Sequence, residues 1–404
     1  MLNEILLAFC LSAIVSWFTV PAIIKIAFQK RLLDDPSFEE RKIHHHSIPN
    51  LGGVAVFSAF ALVSTLMIRS EMLPNANYIF AAALLIFSIG LKDDLIALDP
   101  YKKFAAQFIT SFIVVYLADI RFTSFYGVFG MYDISPQLSY IFTSFFVVFI
   151  INAFNLIDGV NGLLGTLATF ISITFGTLFL IMNQAGWAVL SFCLAGSLVG
   201  FLRFNFIKRA RVFMGDGGAY TIGFILALLS ISFVEINKQQ AVPTFESAPA
   251  LVLAIMIIPI FDTFRVFAKR IISGKSPFYP DRNHLHHRFL NMGLSHHQTT
   301  LTLLFSTVAF TVLGFVLRTI GTIELMLLIL FTAQFINYSL WLYDSRMRLI
   351  LHNRRMAEAS FQNQKIISDT TFDKIMEEEP SSFTTTTKEN LTQELLRELE
   401  KRKN

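Results

Sequence analysis

Four aspartates, two asparagines and a run of histidines and arginines give this 404-residue chain the makings of a phosphate-handling centre. Asp93 and Asp94 are neighbours in Gly90-Leu91-Lys92-Asp93-Asp94, and Asn155, Asp158 and Asn161 recur at three-residue intervals. Asp216 stands among glycines in Met214-Gly215-Asp216-Gly217-Gly218, and Arg282, His284, His286, His287 and Arg288 crowd into one short stretch. Carboxylate and amide oxygens suit a hard divalent cation, since Mg²⁺ takes oxygen ligands and keeps water and substrate phosphates in its shell. Guanidinium forks match phosphate oxygens. Together they equip a site where Mg²⁺ and basic side chains share a diphosphate. That is the chemistry of phosphoryl transfer, in which catalysis is mostly positioning and neutralisation of charge.

The spacing assigns roles within this set. Asn155 and Asp158 share a face if they are helical, as do Asp158 and Asn161 where helix persists. Gly159 and Gly162 let the chain turn and let backbone approach a ligand. Asp93 and Asp94 point about 100° apart on a helix, so one reaches metal or acceptor while the other bonds backbone or a lysine. The histidines are a poor zinc site, because no cysteine is near and Arg282 and Arg288 repel a cation. Lys42 and His44 belong to a second basic cluster, Arg41 to His46, whose ordinary meaning is surface charge at a membrane edge. Taken singly, an Asp pair is a solvated helix end and Asp-Gly a turn. Their shared location gives them weight.

The elements that must hold these residues are membrane helices. Apolar residues make up 54% of the chain and charged ones only 15%, where a soluble domain carries about 25%. Mean hydropathy is +0.56, and the 43 Phe suit a lipid-facing surface. A span needs roughly 20 mainly apolar residues. Such runs fall at 2–28, 48–68, 77–91, 104–119, 138–157, 162–183, 185–206, 213–235, 248–268, 298–317 and 321–343. The expectation is an all-α polytopic protein with about eleven spans, or ten if one of the short third and fourth runs is interfacial. Residues 1–28 read as the first span, without the basic start or cleavage site of a signal peptide.

Basic residues orient the bundle. One set of alternate loops holds 17 Lys and Arg and the other set only four, Arg69, Arg121, Lys238 and Arg318. The rich side is cytoplasmic, which places the N-terminus outside, the C-terminus inside and every candidate residue at the cytoplasmic membrane edge. Residues 1–343 form the membrane domain. Residues 344–404, with 11 basic and 11 acidic side chains, read as a soluble cytoplasmic tail with Leu391, Leu395, Leu396 and Leu399 at helical spacing. Net charge is only +4 and scattered, which argues against nucleic acid. Cys10 and Cys193 both lie in apolar runs and define neither a disulfide framework nor a thiolate site.

With these motifs in order, the chain resembles the polyprenyl-phosphate N-acetylhexosamine-1-phosphate transferases of glycosyltransferase family 4. The carrying stretches are Arg41-Lys42-Ile43-His44 through Pro49-Asn50-Leu51-Gly52-Gly53, Asp93-Asp94, Asn155-Leu156-Ile157-Asp158-Gly159, Gly215-Asp216, and Pro280-Asp281-Arg282-Asn283-His284-Leu285-His286-His287-Arg288. The resemblance implies an Mg²⁺-dependent bacterial inner-membrane enzyme, with Mn²⁺ as a substitute ion. Such an enzyme moves N-acetylglucosamine-1-phosphate from UDP-N-acetylglucosamine to undecaprenyl phosphate and releases UMP. The lipid-linked product starts a cell-surface glycan such as lipopolysaccharide.

By the same resemblance, Asp93, Asp94 and Asp158 are catalytic, and Asp216 and Asn155 hold the metal. Lys42, His44, Asn161, Arg282, His284, His286, His287 and Arg288 bind substrate. His-x-His-His-Arg points to an N-acetylglucosamine donor, with another UDP-N-acetylhexosamine as the alternative. Many members carry a second Asp where this chain has Asn161, which cannot act as a base. Membrane lipids, and a second copy of the chain, complete the expected partners. A nucleotide-sugar transporter is the rival class, but transporters place coupling residues at the bilayer midplane, and here that region is plain. A membrane scaffold would leave the motifs unexplained.

Overall fold

The computed structural model describes residues 2–32, 48–207, 210–240, 244–276 and 283–378, with 390, 393, 394 and 397. All extended regular structure among them is helical. In chain order the helices are α1 (Leu2–Lys30), α2 (Gly52–Met67), α3 (Ala76–Leu95), α4 (Pro100–Phe112), α5 (Pro136–Ile157), α6 (Leu163–Ile181) and α7 (Ala185–Asn205). There follow α8 (Gly215–Gln239), α9 (Ala248–Ile255), α10 (Ile257–Ile272), α11 (Leu285–Asn291), α12 (His296–Val316) and α13 (Thr322–Glu378). α4 runs on through a π-helical turn, Ile113–Leu117.

Every apolar run of the sequence falls on a helix, and the chain is a multi-pass membrane protein. Among the described residues, seven helices are long and apolar enough to cross a bilayer: α1, α5, α6, α7, α8, α12 and the Thr322–Met347 part of α13. The α9–α10 pair makes an eighth span if its 80° bend at Met256 is crossed as one unit. α2, with 16 residues, is shorter. α3 ends on Lys92, Asp93 and Asp94, and α4 begins near Lys102 and Lys103, so site residues occupy turns that would otherwise be apolar.

Two compact units divide the chain, residues 1–333 and 334–404. In the first, α8 is the central post. Nearly all its side chains are buried, and α3, α5, α2 and α6 pack around it while α1 lies on α7. A helix apolar on every face belongs inside a bundle. Phe18, Phe305 and Phe331 stand exposed on outer helices, as lipid-facing side chains do. The N-termini of α2, α6, α8 and α12 and the C-termini of α3 and α5 meet at one end of this bundle, where the motif residues lie. In the second unit the helix continues to Glu378. The tail leucines 391, 395, 396 and 399 lie outside the described residues, as do Lys42, His44 and Arg282.

Candidate active site

The site is built on the first turn of α8. Gly215 opens it at φ +79°, a left-handed conformation that suits glycine. The α2 segment docks on the residues just before: Gly52 N donates to the Phe213 carbonyl at 2.8 Å and Gly53 N to the Met214 carbonyl at 2.7 Å. Phe213 N returns a bond to the Pro49 carbonyl at 2.8 Å. Backbones then touch. A Cβ on Gly53 would lie 2.4 Å from Gly218 Cα, and one on Gly90 2.6 Å from Gly217 Cα. The glycines of three motifs therefore let α2 and α3 close onto the start of α8.

Carboxylates from two other helices satisfy the N–H groups that a helix start leaves open. Asp94 Oδ1 accepts from Asp216 N at 2.8 Å and Asp94 Oδ2 from Gly217 N at 3.0 Å. Asn50 Nδ2 also donates to Asp94 Oδ1, at 3.1 Å. Asp158, just past the end of α5, accepts from the Gly215 N–H. Burial, and then the charge of Asp94, push the Asp158 carboxyl up to about 7, against the pull of that bond.

Asp93 faces another way. Its Oδ1 accepts from Leu98 N at 2.8 Å, and its Oδ2 meets Lys103 Nζ at 2.5 Å and the Tyr220 hydroxyl at 3.3 Å. Lys103 Nζ is also 3.9 Å from Asp216 Oδ2, and the Asp93 and Asp216 carboxyls lie within hydrogen-bonding reach of each other. One ammonium thus serves two adjacent carboxylates, with Asp94 and Asp158 close by. The centre has an excess of negative charge.

The basic side joins through the loop after α5. A Cβ on Gly159 would lie 2.7 Å from His286 Nε2, so the missing side chain makes room for the ring. His286 is buried, and burial, followed by the charge of His287, pushes its pKa down to about 3. His287 packs on it with ring centres 4.3 Å apart. Asn161 is tied to α12: its N–H donates to His296 Nδ1 at 3.3 Å, and its carbonyl accepts from the Thr300 hydroxyl at 3.1 Å. Its buried side-chain Oδ1 has no hydrogen-bond partner among the described residues. His284 Nδ1 is 3.0 Å from Asp262 Oδ2.

The structure accordingly brings Asp93, Asp94, Asp158, Asp216, His284 and His286 into one chain of contacts, while Asn161 is tied to α12. Asn155 lies in the last turn of α5, and His287 and Arg288 are on α11. Three residues that spacing did not single out take part: Lys103, Tyr220 and Asp262. Asp262 carried a signal, since it is the one acid in the otherwise apolar start of α10 and such groups are functional candidates by default. Lys103 carried none, because a lysine near a helix start is ordinary. Among the described residues, no three His, Cys, Asp or Glu side chains surround a common point as a ready ligand set.

Comparison with known proteins matches residues 76–234 to a family described as glycosyl transferase family 4. The chain is 31% identical over 326 residues to the decaprenyl-phosphate N-acetylglucosaminephosphotransferase of Mycolicibacterium smegmatis, covering 74% of this chain and 79% of that one. It is 30% identical over 345 residues to the probable undecaprenyl-phosphate N-acetylglucosaminyl 1-phosphate transferase of Bacillus subtilis, covering 82% and 90%. To the undecaprenyl-phosphate alpha-N-acetylglucosaminyl 1-phosphate transferase of Yersinia pestis it is 27% identical over 322 residues, covering 78% and 85%.

Proposed function

We infer the activity from the family: this chain belongs to glycosyl transferase family 4. It is a membrane enzyme that transfers N-acetylglucosamine-1-phosphate to a polyprenyl phosphate, the reaction for which its relatives are named. The finer chemistry is our proposal. The donor is UDP-N-acetylglucosamine, the acceptor is undecaprenyl phosphate, and the site faces the cytoplasm across a bacterial inner membrane. The 17-to-4 distribution of basic residues supports that orientation.

The observation that carries this proposal is the acid pair Asp93–Asp216, bridged by Lys103 at the glycine-lined start of α8. Mg²⁺ is usually held by one or two carboxylates plus substrate phosphates, so two carboxylates with surplus negative charge fit it better than they fit a closed protein cage. Asp216 would hold the ion, with the Asn155 amide as a further oxygen and the charge of the neighbouring Asp93 beside it. When bound, it would neutralise charge developing on the diphosphate.

The chain's own residues do the rest. An acceptor phosphate oxygen attacks the β-phosphorus of the donor; that P–O bond forms as the bond to the bridging oxygen breaks, and UMP leaves. Asp93, fixed by Leu98 N and Lys103, orients the acceptor and takes up any proton it carries. Asp94 and Asp158 keep α8, and with it Asp216, in register. The basic loop offsets charge on the donor and on UMP.

The test is UMP release by purified protein from UDP-N-acetylglucosamine, with undecaprenyl phosphate and Mg²⁺. Release should require all three components and stop with EDTA. Turnover at an undiminished rate in the Asp216→Asn protein would contradict the metal assignment. Faster turnover with another UDP-N-acetylhexosamine would replace the donor.

A further inference from the structure

Asp262 lies in α10, the second half of the bent α9–α10 pair, and belongs to none of the motifs above. It is 1% exposed. A carboxylate in such a place must be paired and fully hydrogen-bonded, and this one is. Its Oδ1 accepts from Arg265 NH2 at 2.7 Å and from the Leu285 N–H at 3.0 Å. Its Oδ2 meets His284 Nδ1 at 3.0 Å. Leu285 is the first residue of α11, so the same carboxylate pins the start of the helix that presents His286, His287 and Arg288. The Arg265 guanidinium also reaches the Asn283 carbonyl, which ties the preceding residue to α10.

An ionised carboxylate only accepts, so His284 must carry its proton on Nδ1. The other nitrogen is then the one that meets a ligand. His284 is 3% exposed, and its Nε2 is buried with no hydrogen-bond partner among the described residues. Its ring lies parallel to that of His286, with centres 5.7 Å apart and 6° between planes. His286 in turn packs on Gly159 beside Asp158. The orphaned nitrogen therefore belongs to the wall of the site.

We propose that Asp262 is a positioning residue that acts through His284, holding the ring so that Nε2 accepts a hydrogen bond from a hydroxyl or N–H group of the nucleotide-sugar. The bond to Nδ1 keeps the ring from turning and fixes Nε2 as the edge that faces the ligand. The proposal presupposes the nucleotide-sugar donor named above.

A two-residue cycle tests it. Full-length wild type, Asp262→Asn, His284→Gln and the double variant are assayed with UDP-N-acetylglucosamine and undecaprenyl phosphate. Affinity for UDP is measured on the same four proteins by calorimetry. Each single variant should raise the donor KM or the UDP Kd by about 10- to 100-fold, as loss of an orienting partner typically does. The double variant should be no worse than His284→Gln alone, with the acceptor KM unchanged. Asp262→Glu, which keeps the carboxylate, should recover part of the loss and elute normally in gel filtration.

Penalties that multiply in the double variant would overturn the proposal. So would wild-type behaviour of Asp262→Asn, or a change confined to the acceptor KM. If wild type binds UDP but does not turn over UDP-N-acetylglucosamine, the donor sugar is wrong, and the UDP affinities still decide the role of Asp262. Failure of wild type to bind UDP would overturn both.

Discussion

Asp94 caps the helix that carries Asp216. Its two oxygens lie 2.8 and 3.0 Å from the backbone nitrogens of Asp216 and Gly217, across 122 residues of sequence. Met214, at the N-cap position of α8, supplies no side-chain bond of its own, so the cap comes from another helix. A negative charge at a helix N-terminus is favourable, and here it also leaves the Asp216 side chain available to face Asp93 and Lys103. Positioning and chemistry are thus divided between two adjacent aspartates.

Asp94→Asn should damage both stability and activity. The amide keeps the size but offers one acceptor oxygen where two N–H groups need two, and its NH₂ would oppose a donor. A stability loss of about 1–3 kcal/mol is expected from a buried donor left unsatisfied. Displacement of Asp216 by even a fraction of its width should lower turnover by about 100-fold. Thermal unfolding in detergent alongside the UMP assay measures both, and an unchanged melting curve would remove the capping role.

Lys103→Met strands two neighbouring carboxylates without their shared cation. Removing one partner of a buried pair costs about 3–5 kcal/mol. Lys103 is partly exposed, with 28% of its side chain accessible, so the loss should fall toward the lower end. Adding Asp93→Asn to this variant should restore much of the stability and none of the turnover. A double variant no more stable than Lys103→Met would show that the pair is not what makes the lysine matter.

Gly90→Ala tests the close approach of α3 to α8. The new methyl would sit 2.6 Å from Gly217 Cα and 2.7 Å from Gly217 N. Both neighbours are backbone, so no side chain can turn aside, and overpacking of this kind costs about 1–3 kcal/mol. Moving α3 also moves Asp93 and Asp94. Activity should therefore fall with stability, whereas wild-type turnover would mean that the helices do not touch this closely in the working enzyme.

His286 carries a pH signature. Its folded pKa of about 3 lies below the ordinary histidine value of 6.5. Between these values the unfolded chain binds a proton that the folded chain refuses. Stability from this group is fully present above pH 6.5 and falls as pH drops toward 3, with a limiting slope of about 1.4 kcal/mol per pH unit. Melting temperatures taken across that window should decline less steeply in His286→Asn than in wild type. Parallel curves for the two proteins would mean that this imidazole is not held neutral.

Local pattern revealed the membrane character, the helical segments and most of the residues that now meet at one end of the bundle. Length and apolarity mark a span without reference to any partner. Glycine beside aspartate marks a turn in the same way. Pattern also required Asp93 and Asp94 to point in different directions, because neighbours on a helix diverge.

It could not say which aspartate would cap α8 and which would pair with Lys103, since that depends on where two other helices lie. Asp262 and His284 show the same boundary. Their partnership spans 22 residues, from within α10 to the residue just before α11. Composition and periodicity, then, determined what this chain is made of and in which medium it folds, because the cost of burying apolar or charged groups is set residue by residue. The tertiary structure alone decided which acid holds a helix, which shares a lysine and which orients a histidine. Those roles come from hydrogen bonds a few ångströms long between segments far apart in sequence, and short-range pattern carries no information about them.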